Sequence, residues 1–238
     1  VELTTPACPL KARFKDDCEK AVALAERFEN LYAAVGIHPH EAKHVRAGTF
    51  DRLRELARTV SVVAIGETGL DFHYNFSKRS DQERVFAAQI RMAAELNLPL
   101  IVHSRDAFDE TLGILERFGQ SVNGVVFHCF SGRPDHAERL VELGYYVSFT
   151  GVVTFKNADA VRRSAMAVPI ERLMLETDCP YMSPEPVRKL KTNEPAFMVH
   201  TAELLAELRG VRLEDLAAAT TTTARGFFHL PPGRDPAG

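Results

Sequence analysis

Short, continuous apolar runs that stop on an imidazole or a carboxylate constrain this chain more than any other feature. Val62-Val63-Ala64-Ile65 meets Gly66 and then Glu67, and Leu100-Ile101-Val102 meets His103. Gly124 to His128 reads as a strand ending on its histidine, and Leu173 to Asp178 reads as a strand whose last residues are Glu176-Thr177-Asp178. An earlier run, from Leu31 to Ile37, meets His38-Pro39-His40. None of these runs alternates apolar with polar residues. Strands of that kind belong to parallel sheets covered on both faces. Charged groups are rarely fully buried unless paired or bound to metal, so Glu67 at the end of such a strand asks for a positive partner.

Helical patterns fill the gaps between the runs. They are expected near Cys18–Phe28, Thr49–Thr59, Ser80–Leu96, Ala107–Phe118, Pro134–Leu143 and Ala158–Ala167. A further strand, Tyr145–Phe149, ends in Thr150-Gly151, and two closing helices are expected near Pro195–Leu208 and Leu213–Phe228. Residues 1–16 form an atypical start in which only Val1–Thr5 could be a strand, and the tail from Pro231 reads as disordered. A single domain over residues 1–238 is expected.

Strands alternating with helices over 238 residues fit a (β/α)8 TIM barrel. No Gly-x-Gly-x-x-Gly or Walker sequence follows any strand, which disfavours a nucleotide-binding doubly wound sheet. In a barrel the active site forms where the strands end. His38, His40, Glu67, His103, His128 and Asp178 all sit at such ends.

The net charge is −3, so any nucleic-acid contact must be local and cleft-like rather than a global basic field. The four cysteines make no Cys-x-x-Cys pair and read as reduced thiols of a cytoplasmic protein. No apolar run approaches transmembrane length, and no basic-then-apolar leader opens the chain.

Two His, one Glu and one Asp gathered on one face match the ligand set of a hydrolytic metal site. Imidazole suits Zn²⁺ or Mn²⁺, and carboxylates suit Mg²⁺ or Mn²⁺. A bridging carboxylate can hold two ions about 3.5–4 Å apart, clamping the attacking and leaving oxygens of a phosphodiester.

The motifs taken together resemble the TatD-type metal-dependent deoxyribonucleases. They are Gly36-Ile37-His38-Pro39-His40, Gly66-Glu67-Thr68-Gly69-Leu70-Asp71, Leu100 to Arg105, His128-Cys129-Phe130-Ser131-Gly132, Glu176 to Tyr181 and Asn193-Glu194-Pro195. The resemblance covers roughly residues 18–228, in family order. It implies a barrel metallohydrolase that cleaves DNA, often as a 3′→5′ exonuclease acting on single strands or 3′ ends. It also implies one or two divalent ions (Mg²⁺, Mn²⁺ or Zn²⁺), with Glu67 bridging and His103 and His128 completing one site. Asp178 would belong to the other site and orient or deprotonate the attacking water.

The sequence departs from the family at its start and in the Pro186–Asn193 loop, which differs from the family's usual basic, Gly-containing loop. The His-x-His pair of the family's first strand has no counterpart before His38, so the first strand is expected to be missing or degenerate. The first residue is Val, and the chain either begins downstream of that strand or has lost it. His38, Arg105 and Arg188 are the candidates for substrate contact. A guanidinium matches phosphate oxygens, although Arg105 could instead pair with Asp106 or Asp109, and the loop carrying Arg188, Lys189 and Lys191 could be merely solvated. Two other readings stay open: hydrolysis of a D-aminoacyl ester or amide on the same scaffold, or a catalytically weakened barrel that binds nucleic acid or a partner.

Overall fold

The computed structural model describes residues 14–231. The possible Val1–Thr5 strand and residues 232–238 of the tail lie outside them. Six strands form one sheet: β1 (Ala33–Val35), β2 (Val62–Asp71), β3 (Leu100–Arg105), β4 (Val125–Phe127), β5 (Tyr146–Phe149) and β6 (Leu173–Leu175). All neighbours are parallel and follow chain order. The helices are α1 (Phe14–Arg27), α2 (Thr49–Ala57), α3 (Arg79–Leu96), α4 (Phe108–Phe118), α5 (Pro134–Glu142), α6 (Asp159–Ala167), α7 (Met198–Arg209) and α8 (Leu213–Phe227). Among the described residues no pairing returns from β6 to β1. Over the described residues the architecture is therefore the expected α/β barrel, with β1 and β6 as the unjoined edges of the sheet.

Two apolar layers explain why the strands are apolar throughout. The larger one fills the space between the sheet and the helices, with Val35, Ile65, Leu100, Val102, Phe127, Val147 and Leu173 nearly inaccessible to solvent. The smaller one lies on the other face. It takes Ala64, Ile101, Val126 and Met174 from β2, β3, β4 and β6, with Ala34 and Tyr146 beside them, and Phe227 of α8 packs into it. A barrel interior is a packed core filled by one residue per strand in layers, not a pore. Here α8 stops one end of that interior, because Phe227 also lies so close to Gly124, just before β4, that a Cβ there would meet its ring at 2.9 Å. The polar strand ends face the other way.

The strand ends depart from regular geometry at the position that matters most. Between β2 and β3 the register runs from Ile65↔Leu100 to Thr68↔Val102, so β2 carries one residue more than its partner. The extra length falls at Gly66-Glu67. A bulge of this kind re-aims a side chain, and here the side chain is Glu67. Gly66 is required because a Cβ there would stand 2.6 Å from the Ile101 Cβ. Gly69 has φ +137°, and a Cβ on it would collide with the His103 carbonyl oxygen.

Two strands are shorter than the sequence suggests. β1 stops at Val35 because Ile37 leaves the sheet to bond α3: its N–H donates to Gln89 Oε1 (2.6 Å) and its carbonyl accepts from Gln89 Nε2 (3.0 Å). β6 stops at Leu175 rather than Asp178, and Asp178 turns the chain with φ +53°. Non-glycine residues in that region are uncommon and cluster at functional sites. Cys129, directly after His128, is another, with φ +45°.

Candidate active site

One carboxylate oxygen organises the strand ends. Glu67 Oε1 lies 2.6 Å from His128 Nε2, 2.7 Å from His103 Nδ1 and 3.2 Å from His38 Nε2. Glu67 and His103 lie in the second halves of β2 and β3, and His38 and His128 follow the ends of β1 and β4. The bulge at Gly66-Glu67 brings the carboxylate inward to meet the rings.

By distance, His38, Glu67 and His103 make a group whose ligand atoms all lie within 4.8 Å of one another. Hydrogen bonding divides the imidazoles differently. His103 turns its Nε2 to Asp71 Oδ2 (3.1 Å), and a Glu176 oxygen stands 3.5 Å from His128 Nδ1. A carboxylate on the far nitrogen holds the ring proton there and leaves the near nitrogen bare. His38 is wired the other way, because its Nδ1 accepts the His40 N–H at 3.2 Å. Neutral His38 therefore carries its proton on Nε2 and donates it to Glu67. Thus His103 and His128 could turn lone pairs to a cation at the centre, whereas His38 presents a hydrogen.

Two imidazole nitrogens meeting one carboxylate oxygen at under 3 Å need a proton or a cation between them. A divalent cation fits that demand, and these donor types are those of Zn²⁺ or Mn²⁺ sites. In the metal-free protein, protons stand in for the cation. Burial opposes charge on Glu67, but the Coulombic pull of His128 and His38 and the hydrogen bonds from His103 and His128 outweigh it and hold the carboxyl well below its usual range. Burial likewise opposes charge on His128, yet the charges of Glu67 and Glu176 raise it well above the ordinary imidazole value. His103 is raised against its burial by hydrogen bonds to Asp71 and Glu67. His38 goes down because burial prevails over the attraction of Glu67.

Asp178 behaves in the opposite sense. Burial is the main cause that pushes its carboxyl up to about 7, and the charges of Glu176 and Glu67 add to it against the pull of His128. Its neighbour Cys129 is no nucleophile. Burial raises that thiol to about 12, and its Sγ lies between Thr150 Oγ1 (3.6 Å) and Met182 Sδ (3.4 Å).

The candidate substrate residues are spread around this centre. The Arg105 guanidinium carbon sits 4.7 Å from the centre of the Tyr74 ring. Asp106, one of its expected partners, is instead engaged by His73 Nδ1 at 2.9 Å. Arg188 lies 3.7 Å from the centre of the Phe155 ring and 4.0 Å from Glu185, in the loop after β6.

Four residues that the sequence reading did not assign to the site hold it together. Asp71 is completely buried, and its Oδ2 also faces His40 Nε2 at 2.9 Å. Its Oδ1 accepts the N–H groups of His73 (3.0 Å) and Tyr74 (2.9 Å). Glu176 accepts the Cys129 N–H and so fixes the turn that follows His128. Gln82 and Gln89 are fully buried on α3. Gln82 accepts the Asp71 N–H (2.8 Å) and donates to the Asp71 carbonyl (3.0 Å). Gln89 links Ile37 to Thr68. The available signal was spacing, since glutamines seven apart in a helix share one face, which is otherwise apolar here.

This geometry recurs in known proteins. The family model described as TatD related DNase matches residues 3–229. The 3'-5' ssDNA/RNA exonuclease TatD of Escherichia fergusonii is 38% identical over 218 residues, covering 90% of this chain and 84% of that protein. The uncharacterized metal-dependent hydrolase YcfH of Escherichia coli is 41% identical over 206 residues, covering 87% and 77%. Among solved structures, the TatD homolog YJJV from Escherichia coli superposes with a TM-score of 0.82 at 32% identity, covering 91% of this chain and 84% of that one. A TatD family hydrolase from Entamoeba histolytica, at 22% identity and a TM-score of 0.81, supports the fold alone. A match from residue 3 to residue 229, joined to a centre that calls for a cation, places the chain in the TatD-related DNase family as a metal-dependent hydrolase.

Proposed function

We propose that this hydrolase cleaves phosphodiester bonds of single-stranded nucleic acid, with DNA as the first substrate to test, and that it works inward from 3′ ends. The observation that carries the reading is the convergence of His103 Nδ1 and His128 Nε2 on Glu67 Oε1, at 2.7 and 2.6 Å. The activity that names the Escherichia fergusonii relative is consistent with it. Glu67, His103 and His128 would hold one divalent ion, and Asp178 with Glu67 would serve a second. A cation there supplies stabilisation of negative charge building on a phosphoryl group.

The remaining chemistry belongs to the chain. Asp178, buried beside the centre, is the group suited to take a proton from an attacking water. His38, with its hydrogen on Nε2, is placed to bond an oxygen of the scissile phosphate. Arg105 lies at the rim for a flanking phosphate. Cys18, Cys129 and Cys179 are in no disulfide among the described residues, which suits a reducing compartment, and we place the enzyme in the cytoplasm.

The test is hydrolysis of 3′- and 5′-labelled single-stranded DNA and RNA, with Mg²⁺, Mn²⁺, Zn²⁺ or EDTA. D-aminoacyl esters are assayed in parallel. Mononucleotides released first from the 3′ end of DNA, and abolished by EDTA, are expected. Ester turnover without nucleic-acid cleavage would overturn the reading.

A further inference from the structure

The loop that joins β2 to α3 carries an aromatic pair that the metal centre does not use. The rings of Tyr74 and Phe76 stack with centroids 5.3 Å apart and planes 11° from parallel. Large apolar side chains normally seek cover, yet these are 47% and 54% exposed. The loop beneath them is fixed. Asp71 Oδ1 holds the Tyr74 N–H, and Ser77 Oγ donates to the His40 carbonyl (2.7 Å) and accepts the Lys43 N–H (3.1 Å). Gln82 Nε2 donates to the Ser77 carbonyl at 2.9 Å. The exposed pair is therefore presented on a rigid base.

Cations surround it. The guanidinium of Arg105 lies over Tyr74, and Lys43 Nζ donates to the Phe76 carbonyl at 2.7 Å. Among the described residues no carboxylate stands within ion-pair distance of Arg105. The pair also adjoins the metal centre. His40 meets both rings edge-on, at 5.6 Å for Tyr74 and 4.7 Å for Phe76, and shares Asp71 Oδ2 with His103.

We propose that Tyr74 and Phe76 form a stacking platform for an unpaired nucleobase next to the scissile bond, with Arg105 holding an adjacent phosphate. Exposed aromatic faces beside cations are how proteins bind single strands without reading sequence, because every base has a π face. The platform supplies a physical basis for taking single strands, since a duplex keeps its base faces stacked inside. The inference rests on the nuclease reading above and specifies the substrate class of that site.

The test compares a labelled DNA oligonucleotide with an oligomer of the same length built from abasic tetrahydrofuran phosphodiester units. Binding is read by fluorescence anisotropy in EDTA, and cleavage is read separately with Mn²⁺. Wild type should bind the base-bearing strand about tenfold more tightly than the abasic one, the size expected for one stacked base. The double variant Tyr74→Leu, Phe76→Leu, which keeps apolar bulk over His40, should reduce that preference to about twofold or less. Phe76→Trp should retain it, and thermal melts establish that each variant is folded. Arg105→Gln should weaken both oligomers alike and lower the salt slope by about 0.7, one single-strand phosphate contact. Equal affinity of wild type for the two oligomers, or a preference that survives the double leucine change, would overturn the platform. Cleavage of DNA in that case would leave the nuclease reading standing. Failure to cleave any strand would remove the nuclease reading, while the anisotropy comparison would still decide whether bases stack on the pair.

Discussion

Glu67 and Asp178 are both partly buried carboxylates at the ends of strands facing one site, and the fold moves their protons in opposite directions. Glu67 is met by three imidazole nitrogens within 3.2 Å and stays ionised well below the usual carboxylate range. Asp178 has Glu176 and Glu67 among its neighbours and keeps its proton up to about 7. Burial alone would raise both. The difference lies in what each strand end brings with it: β2 meets His38, His103 and His128, whereas the end of β6 delivers two carboxylates two residues apart. A pair of groups whose environments drive their pKa values apart marks a division of labour. The first has the character of a permanent anchor for positive charge, and the second that of a group able to exchange a proton at neutral pH.

The largest expected effect comes from removing the charge at the anchor. Glu67→Gln should lower turnover of single-stranded DNA by at least about a thousandfold, equivalent to several kcal/mol of lost charge stabilisation. The bound-metal content, read by mass spectrometry, should fall with it. Retention of both metal and turnover would mean that His103 and His128 do not need Glu67 to gather a cation.

Asp178→Asn should lower kcat by about 10² to 10⁴, the range for loss of a general base, with little change in affinity for single-stranded DNA. It should also change the stability of the metal-free enzyme in a pH-dependent way. A carboxyl whose folded pKa exceeds its unfolded value of about 4 destabilises the fold once it ionises. That cost is absent below about pH 4 and complete above about 7. In EDTA the asparagine variant should therefore melt at least about 2 °C higher than wild type at pH 8, with the gap closing toward pH 4. A gap of constant size would show that the aspartate is not desolvated.

His103 and His128 give the reverse dependence. Their raised values stabilise the metal-free fold below the unfolded imidazole pKa of about 6.5, and that contribution is lost as pH rises through their folded values. The melting temperature in EDTA should therefore decline toward alkaline pH, and Zn²⁺ or Mn²⁺ should restore most at the alkaline end. Metal that stabilises no better at pH 9 than at pH 6 would contradict the exchange of protons for a cation.

Asp71→Asn tests the wiring behind the anchor. The amide keeps the shape but holds the far nitrogen of His103 less firmly, so metal affinity should fall about 10- to 100-fold, as for other partners behind a metal-binding histidine. An unchanged affinity would leave Asp71 a role in the Tyr74 loop alone. The smallest effect belongs to Arg188, which is exposed and already leans on Phe155. Arg188→Gln should weaken single-stranded DNA binding only a few-fold and lower the salt slope by about 0.7.

The outline of this comparison is legible in the sequence, and its mechanism is not. Apolar runs ending in His or Glu locate the strand ends, because continuous burial leaves a one-dimensional trace. The placement of Glu67 depends on an extra residue in β2 relative to β3, which a period-of-two reading cannot reveal. The roles of Asp71 and Glu176 escaped because a carboxylate holding the back of a histidine has the same one-letter signature as one facing a metal. Gln82 and Gln89 escaped because polar residues within a helix ordinarily face solvent, and here they bond the ends of β1 and β2 instead. Likewise, the sequence ran β6 on to Asp178, though the strand gives out three residues earlier so that the backbone can turn there.

Phe227, near the end of α8, gives the molecule an order of assembly. The interior face of the sheet offers Ala64, Ile101, Val126 and Met174, and the ring that packs against them is one of the last parts of the described chain to be synthesised. On the ribosome, β1 to β6 have all emerged before this side chain leaves the exit tunnel. Chains grow at about 5–20 residues per second, so the greasy floor of the barrel stays unsealed for several seconds. A nascent chain arrested between β6 and α8 has Glu67, His103 and His128 in hand but no bottom to the barrel, and it is in that interval that a chaperone has surface to hold.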